Sequence, residues 1–458
     1  MARTVKPPDS DGHQQQLALL SILLYTIHHF FGGLSFLSAP VSDPRHPKRI
    51  TYPLSCLLFA GMLIFLYRLQ SRRQVKFLLQ QGPSAQSLLT LFQVPACPHG
   101  DTLDHVFSHL DPDQLQNVVT TTVATLIRQK VLTAYRLQDR YYVIGIDGTG
   151  TLSFNQRHCD HCLTRTANGT TTYYHNVLEA KLLTCSGLVL SLMTEFIENQ
   201  GENTAKQDCE LNAFYRLAYR IKKRFPRLPI LLTLDGLFAN GPVFSLCQEN
   251  EWKFMIVLKD GGLPFVNQEF DGLCQLEEHK HLSCLGNGTR QDFRWVDDIA
   301  YKDSSHGEHR LSVIECLETK PSPRTATERT TRFKWVTNCK VRTGNVYELA
   351  NNGGRIRWKL ENEGFNTQKN GGYGLEHAYT HNHISAKVFY YLLQLAHMMS
   401  QLMEKGSLLR QAFPSGFGSA KNLAFRLLEA WRNTALTTAA MNAIHHWRFQ
   451  IRFSADTS

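Results

Sequence analysis

Two short apolar runs that each end in Asp-Gly constrain this chain of 458 residues most strongly. YYVIGIDG ends at Asp147 and Gly148, and PILLTLDG ends at Asp235 and Gly236. A nearly all-apolar strand is typical of the buried centre of a sheet. Ligands bind open α/β sheets where such strands end, so the two aspartates are expected to converge at one sheet edge. The alternative is a pair of turn aspartates, because Asp-Gly is a common turn dipeptide.

The segments around these runs alternate between strand and helix patterns. Strands are expected at 172–184, 188–197 and 253–260, and an amphipathic helix at 204–225 carries apolar residues on one face and basic residues on the other. A further helix is expected at about 240–250. This βαβ-like succession predicts an α/β fold class.

The segment before the first apolar strand has a helical pattern from 17 to 138. Its apolar stretches at 17–37 and 53–69 resemble membrane spans, but histidines and glycines interrupt the first. The second is at or below the ~18 apolar residues that a span requires and is followed by Arg72 and Arg73. Both stretches are therefore expected to be buried helices, with no membrane partner.

A third acidic residue lies in a helix expected at 355–369, RIRWKLENEGFNTQK. Arg357 and Glu361 are four residues apart, on one helical face, and Lys369 lies two turns further on. Asp147, Asp235 and Glu361 would together form a hard oxygen site for two Mg²⁺ or Mn²⁺ ions. Such ions, ~3.5–4 Å apart, activate a water or a 3′-hydroxyl for in-line displacement at phosphorus. An ordinary Arg–Glu surface pair is the alternative.

Charge and cysteine content limit the partners and the compartment. Lys and Arg outnumber Asp and Glu by 49 to 39, giving a net charge of +10 and a pI near 9.0. Such an excess favours a polyanion partner, although a merely basic protein remains an alternative. Eleven scattered cysteines, an odd number, favour a reducing, cytoplasmic compartment.

Nine segments in collinear order resemble one known family. The chain is similar over about 50–400 to the DDE-type transposases of bacterial insertion sequences, whose third acidic residue lies in a Tyr-Arg-Glu-Lys signature. The segments that carry this resemblance are TYPLSCLLFAGMLIFLYRLQSRRQ, GIDGTGTLSF, TTYYHNVLEAKL, KQDCELNAFYRL, LDGLFANGPVF, WKFMIVLKDG, TNCKV, GRIRWKLENEGFNTQKN and GYGLEHAYTHN.

The resemblance implies a ribonuclease H-like core with a β-rich insertion and cut-and-paste DNA transposition. Asp147, Asp235 and Glu361 take the positions of the three acidic residues, and Arg357 and Lys369 would contact the phosphates flanking the cut. Two departures stand out: Gly354 occupies the position of the signature's tyrosine, and Lys369 is one residue further from Glu361 than usual. Glu363 is therefore a competing third ligand.

The implied organisation has five parts. They are a disordered tail (1–16), a helical N-terminal DNA-binding region (17–138), a catalytic core (139–261 and 351–410), a β-rich insertion (262–350) and a C-terminal helical segment (411–458). Arg72 and Arg73 belong to the expected reader of DNA ends. The implied partners are double-stranded DNA, as terminal inverted repeats and as target, and a second copy of the chain in a synaptic homodimer. The implied location is the cytoplasm, at the nucleoid.

One aromatic residue of the expected insertion is a candidate DNA contact. Some members of this family resolve DNA ends through a hairpin, helped by a tryptophan that stacks on a flipped base, and Trp335 is the candidate here. A half-buried strand tryptophan is the alternative.

Two further clusters have open interpretations. Cys159-x-x-Cys162 lacks a second Cys-x-x-Cys pair, although His158, His161 or His175 would complete four zinc ligands. The alternative is a loop near the active site. Helix capping and packing account for Asp208 and Glu210. A group of residues past the helix expected at 355–369 either supports the acidic site or caps the next helix: Glu376, His377, His381 and His383.

The sequence leaves two other functions open. One is a metal-dependent DNA nuclease of the same fold that does not join strands. The other is an inactive DNA-binding protein derived from a transposase.

Overall fold

A helical N-terminal region precedes a large mixed sheet in the computed structural model of this chain. The structure describes residues 10–80, 82–199, 206–276, 279–286, 288–304, 306–321 and 328–453. The architecture is mixed α/β, as the alternating strand and helix patterns predict.

Six α-helices form the N-terminal region, and short 3₁₀ turns lie between some of them. They are α1 (Ser10–Phe31), α2 (Leu54–Leu66), α3 (Arg73–Leu79), α4 (Pro83–Phe92), α5 (Gly100–Phe107) and α6 (Pro112–Arg128). The start of α6 follows from its sequence, because the Asp111 carboxylate accepts a hydrogen bond from the Asp113 amide. It ends at Arg128.

Both apolar N-terminal stretches contribute buried helices, as predicted. Almost every residue of α2 is buried, and apolar residues of α1 from Leu19 to Phe30 belong to the same core. Within the described residues, no helix has the length and apolar character needed to cross a membrane. The expectation that 1–16 is disordered is wrong for 10–16, which form the first turns of α1; residues 1–9 lie outside the described part.

Within the described residues, the sheet has ten strands. They are β1 (Tyr142–Phe154), β2 (Leu163–Ala167), β3 (Thr170–Leu183), β4 (Val189–Ile197), β5 (Ile230–Leu234), β6 (Lys253–Val257), β7 (His281–Gly286), β8 (Thr289–Lys302), β9 (Glu308–Pro321) and β10 (Glu328–Thr337). The order is β2-β3-β1-β5-β6-β10-β9-β8-β7, and β4 pairs with β3. Strand β1 is antiparallel to β3 and parallel to β5, and β5 is parallel to β6.

Parallel neighbours need crossover connections, and helices supply them. Helix α7 (Glu210–Arg224) connects the antiparallel strands to β5, and α8 (Gly241–Glu249) connects β5 to β6. The helix expected at 204–225 is thus shorter at its start, and residues 204 and 205 lie outside the described part. Crossovers of this kind bring the carboxyl ends of β1, β5 and β6 to the same sheet edge.

The segment 262–350 continues the main sheet. The segment contains a helix that the sequence pattern did not predict, α9 (Pro264–Leu276). Its strands β7 to β10 add to the edge of the sheet at β6, because β10 pairs with β6 through Trp335 and Val257. Strands β8 and β9 are 14 residues each.

A continuous helical run over 346–370 follows the sheet. It consists of α10 (Val346–Glu348), a π-helical stretch (Leu349–Gly354), a 3₁₀ turn (Arg355–Arg357), a second π-helical stretch (Leu360–Asn366) and α11 (Thr367–Asn370). The helix expected at 355–369 is therefore present, but two π-helical stretches alter its side-chain spacing.

The remaining helices pack on the N-terminal region. They are α12 (His383–Lys405), α13 (Ser407–Ala412), α14 (Ala420–Asn433) and α15 (Thr438–His446). The C-terminal segment expected to be helical contains two separate helices, α14 and α15, because Thr434 adopts an extended backbone and the Thr437 hydroxyl caps a new helix by accepting from the Ala440 amide.

Candidate active site at the sheet edge

Asp147 and Asp235 lie side by side on neighbouring parallel strands. Ile146 of β1 is paired in register with Leu234 of β5. Asp147 directly follows Ile146, and Asp235 directly follows Leu234. Their side chains are 25% and 33% exposed, so both carboxylates are reachable from solvent. The convergence expected from the two apolar runs is present in the fold.

A third carboxylate, that of Glu210, enters this site from the first turn of α7. A Cβ atom built on Gly148 would collide with the Glu210 carboxylate. Glycine at 148 is therefore what allows this carboxylate to lie against β1, directly beside Asp147.

Two cations pair with the aspartates. The Arg357 Nη1 atom lies 3.0 Å from Oδ2 of Asp147, and the Lys259 Nζ atom lies 3.1 Å from Oδ2 of Asp235. Arg357 comes from the 346–370 run, whereas Lys259 follows β6, the third parallel strand. Each aspartate thus has its own positively charged partner at the sheet edge.

The acidic side chains influence one another's protonation. Burial raises the pKa of Asp147, and the charges of Asp235 and Glu361 add to that rise while Arg357 opposes it. Burial also raises the pKa of Glu210, together with the charges of Asp147 and Asp235. Burial is the largest cause of both rises, and the neighbouring carboxylates add to it.

Asp235 behaves differently. Burial alone would raise its pKa, but a backbone hydrogen bond from Gly236 and the positive charges of Lys259 and Arg357 outweigh that effect, and the net pKa is lowered. The site thus combines a readily ionised carboxylate with two that are harder to ionise.

The 346–370 run brings Glu361 to the same edge. Its residue Leu360 packs on β1, since a Cβ atom at Gly145 would lie 3.3 Å from Cδ2 of Leu360. The Thr233 hydroxyl of β5 donates a hydrogen bond of 3.4 Å to the carbonyl of Gly354. Glu361 is exposed, and its charge acts on Asp147.

Glu363, the competing third ligand, has different surroundings. It lines a surface pocket with Cys185, Trp358 and Lys359. Burial raises its pKa, and Lys359 and Lys405 partly counteract that rise. The arrangement favours Glu361 as the glutamate that belongs with the two aspartates.

A buried polar network anchors the far end of this run. The Gln368 amide donates a hydrogen bond of 2.7 Å to Gln394 of α12 and lies 2.9 Å from Nδ1 of His397. Gln394 in turn accepts from Lys181 of β3, at 2.8 Å. These contacts fix the run against both the sheet and α12.

Arg357 and Glu361 do not have the regular four-residue helical spacing that the sequence predicts. Because the backbone passes from a 3₁₀ turn to a π-helical stretch between them, a regular four-residue repeat does not apply. Arg357 pairs with Asp147, and Lys369 pairs with Glu376 at 2.8 Å. A simple Arg357–Glu361 surface pair does not describe the contacts of this arginine.

Trp335 is not available to stack on an extruded base in this structure. It is 2% exposed, and a Cβ atom at Gly354 would lie 2.6–2.9 Å from its indole ring. The expectation of an accessible stacking surface is wrong for this conformation, because the ring fills the space between β10 and the 346–370 run. The missing side chain at 354 is what makes room for it.

The two N-terminal arginines differ in their surroundings. Arg72 forms an ion pair of 2.7 Å with Asp104, so it holds α3 against α5. Arg73 is exposed on the surface of α3. Of the two, Arg73 is the side chain that a DNA phosphate can reach without breaking an internal ion pair.

Two residues of the site were missed in the sequence. Lys259 follows the apolar run FMIVL just as each aspartate follows its own run, so the strand-end argument applied to β6 predicts it as well. Glu210 had an adequate explanation as a helix-start residue. Only the position of α7 relative to β1 reveals its approach to Asp147.

Part of the N-terminal region matches a known family. Residues 36–122 match the family model described as DDE_Tnp_1-associated, which points to a DDE-type transposase family. The matched part covers α2 to most of α6 and contains none of the acidic residues at the sheet edge. No curated protein matches the chain.

Proposed function

We propose that this chain is a DDE-type transposase that cuts DNA at the ends of its own mobile element and joins the freed 3′-hydroxyl to target DNA. The observation that carries this proposal is the convergence of Asp147, Asp235 and Glu361 at one sheet edge. The match of residues 36–122 to a transposase-associated family is a separate observation from another part of the chain.

The topology supports a ribonuclease H-like catalytic core. Antiparallel strands β4, β3 and β1 are followed by parallel strands β5 and β6, with helices as crossovers. The segment 262–350 would then be the β-rich insertion between the second and third acidic residues, joined edge to edge to the core.

The side chains at the sheet edge fit hard divalent cations. Asp147, Asp235, Glu361 and, in addition, Glu210 offer carboxylate oxygens, which Mg²⁺ and Mn²⁺ prefer. The raised pKa values of Asp147 and Glu210 reflect, besides burial, a crowding of negative charge that a bound cation would relieve. Two such ions would supply activation of a water or 3′-hydroxyl nucleophile and charge stabilisation at the leaving oxygen.

The protein's own cations would act on the carboxylates and on the DNA backbone. Arg357 keeps Asp147 ionised and oriented, because its guanidinium favours the charged form of that carboxylate. Lys259 does the same for Asp235, and its side chain is 63% exposed, within reach of a phosphate. Lys369, which pairs with Glu376 at 2.8 Å, would contact a phosphate flanking the cut.

The remaining assignments concern binding and assembly. The helical N-terminal region, with Arg73 on its surface, would read the terminal inverted repeats, and the net charge of +10 favours such a partner. Two copies would hold two ends in a synaptic complex, in the cytoplasm at the nucleoid.

A strand-transfer assay tests the proposal. The DNA is a duplex carrying the sequence that flanks this gene, supplied both intact, to measure cleavage, and pre-cleaved so that a 3′-hydroxyl is exposed, with a supercoiled plasmid as target and Mg²⁺ present. We expect joined products that depend on Asp147 and Asp235. Cleavage without any joining would instead assign a metal-dependent nuclease, and end binding without cleavage or joining would assign an inactive descendant of a transposase.

A further inference from the structure

Four side chains with metal-binding atoms converge far along β3 from the acidic site. His158, Cys159 and Cys162 lie in the loop between β1 and β2, and His175 lies on β3. Their nitrogen and sulfur atoms all lie within 4.8 Å of one another. His175 is four residues from Glu179, the β3 residue in register with Asp147, which corresponds to ~13 Å along a strand.

The distances match those of a tetrahedral zinc site. With Zn–S near 2.3 Å and Zn–N near 2.0–2.1 Å, a tetrahedron separates two sulfurs by ~3.8 Å and a sulfur from a nitrogen by ~3.6 Å. Here the two Sγ atoms are 3.6 Å apart, and Nε2 of His175 lies 3.4 Å from Cys159 and 3.5 Å from Cys162. Nδ1 of His158 lies 3.9 Å from the Cys162 sulfur.

The backbone holds this loop in place for such a site. The Asn199 amide donates a hydrogen bond of 2.9 Å to the carbonyl of Cys162, and the backbone N–H of Asn199 donates to the carbonyl of His161 at 3.2 Å. The Cys162 side chain is buried, and His158 packs on the ring of Phe154. Outer contacts of this kind orient ligands before the metal binds.

A neighbouring group that contains His161 is better explained as an ion-pair cluster. His161 lies near Glu198 and His383, but Glu198 is 2.8 Å from Nε2 of His383 and 2.6 Å from Nζ of Lys387. The lysine already neutralises that carboxylate and disfavours a second cation. The Cys₂His₂ group has no such competing partner among the contacts described above.

We propose that His158, Cys159, Cys162 and His175 bind one zinc ion. Four protein ligands complete the tetrahedron and leave no open position, so the ion would have a structural role. It would fasten the 155–162 loop to β3 and thereby fix the β2–β3 hairpin beside β1. This assignment does not depend on the proposed transposase activity.

The zinc content of the full-length chain, purified without added zinc or chelator, tests the proposal. We expect about one zinc per chain for the wild type, and zinc near background for Cys162→Ser and for His175→Ala. Cys284→Ser, at a half-buried thiol on the edge strand β7, is the matched control and should keep its zinc. Asp147→Asn should also keep it, which separates this site from the acidic one.

Loss of zinc can also follow from unfolding of a variant, so a second measurement uses the wild-type chain. After zinc is removed by a chelator, Co²⁺ is added and the visible spectrum is recorded. We expect the ligand-field bands of tetrahedral Co²⁺ together with thiolate-to-metal charge transfer. A wild-type chain without zinc and without this spectrum, or a Cys159–Cys162 disulfide in zinc-free protein purified anaerobically, would overturn the proposal.

Discussion

The guanidinium of Arg357 lies 3.0 Å from the carboxylate of Asp147, although the two residues are 210 positions apart in the chain. This ion pair connects the helical run over 346–370 to strand β1 of the sheet. It also sets the charge of the aspartate, since Arg357 opposes the effects of burial and neighbouring carboxylates that raise the pKa of Asp147.

Replacing Arg357 by alanine should move the pH dependence of Mg²⁺-dependent DNA cleavage to higher pH. Without the guanidinium the pKa of Asp147 rises further, so a higher pH is needed to ionise this metal ligand. The measurement is the pH–rate profile of plasmid nicking. Arg355→Ala, which removes an arginine paired with Glu318 in the same run, is the control and should leave the profile in place. An unshifted rising limb for Arg357→Ala would contradict this role.

Glu210→Gln should stabilise the metal-free protein at neutral pH. Because burial and neighbouring carboxylates raise the pKa of Glu210 above its ordinary value of 4.5, its ionised form costs folding free energy. That cost is absent at pH well below 4.5 and is complete once the pH exceeds the raised pKa. We expect a higher Tm for the variant at pH 7, by an amount corresponding to less than ~1 kcal/mol, and equal Tm values in acid.

The control for this experiment is Glu195→Gln. Glu195 pairs with Arg216 at 2.6 Å and with Arg220 at 2.8 Å, so its loss should lower Tm at pH 7. Adding Mg²⁺ should raise the Tm of the wild type more than that of Glu210→Gln, because a metal ligand is lost in the variant. A lower Tm for Glu210→Gln at pH 7 would show that Glu210 is only a packing residue.

Gly354→Ala should destabilise the fold by ~1–3 kcal/mol, as overpacking of a core does. Its Cβ would lie 2.6–2.9 Å from the buried indole of Trp335. Urea denaturation of Gly354→Ala, Trp335→Leu and the double variant measures the coupling, and the double variant should lose less than the sum of the two. Gly344→Ala, where a Cβ meets open space, is the control. Additive losses would contradict the proposed contact.

Arg73→Ala should weaken binding to duplex DNA, and Arg72→Ala should mainly weaken the fold. Arg73 is exposed, whereas Arg72 is paired with Asp104 at 2.7 Å. A lost phosphate contact lowers the slope of log affinity against log salt by ~1. Fluorescence anisotropy with a labelled duplex at several salt concentrations measures this slope, and Tm measures the fold. An unchanged slope for Arg73→Ala would remove this residue from the DNA-binding surface.

The strand-end aspartates could be predicted because apolar runs determine which strands are buried at the centre of a sheet. Once β1 and β5 are parallel neighbours, Asp147 and Asp235 must be adjacent. The same reasoning applies to Lys259, which follows β6 and pairs with Asp235. Local sequence therefore contains most of the information about the sheet edge.

The rest of the site depends on contacts between distant segments. Glu210 looks like an ordinary helix-start residue until α7 is positioned against Gly148. Trp335 lies on a strand, and the strand pattern does not indicate which element covers the indole ring. In the structure the helical run covers it at Gly354. The π-helical stretches are invisible to an argument from regular helical spacing, which is why Arg357 was expected beside Glu361.

The departure of this chain from the Tyr-Arg-Glu-Lys signature now has a physical reason. A tyrosine at 354 would have to occupy the space of the Trp335 indole, so the glycine at 354 and the buried tryptophan belong together. The role expected for Trp335 at a DNA hairpin is therefore not compatible with its present position.

Metal-dependent nicking of a plasmid that carries the DNA flanking this gene tests the central claim most directly. The wild type should nick it only with Mg²⁺ or Mn²⁺, and Asp147→Asn and Asp235→Asn should each lower the rate at least ~100-fold, since a metal ligand supplies several kcal/mol of transition-state stabilisation. Asp208→Asn, next to α7 but paired with Arg216, is the matched control and should keep most of the activity. Nicking that persists in both site variants, or that needs no divalent cation, would contradict the account.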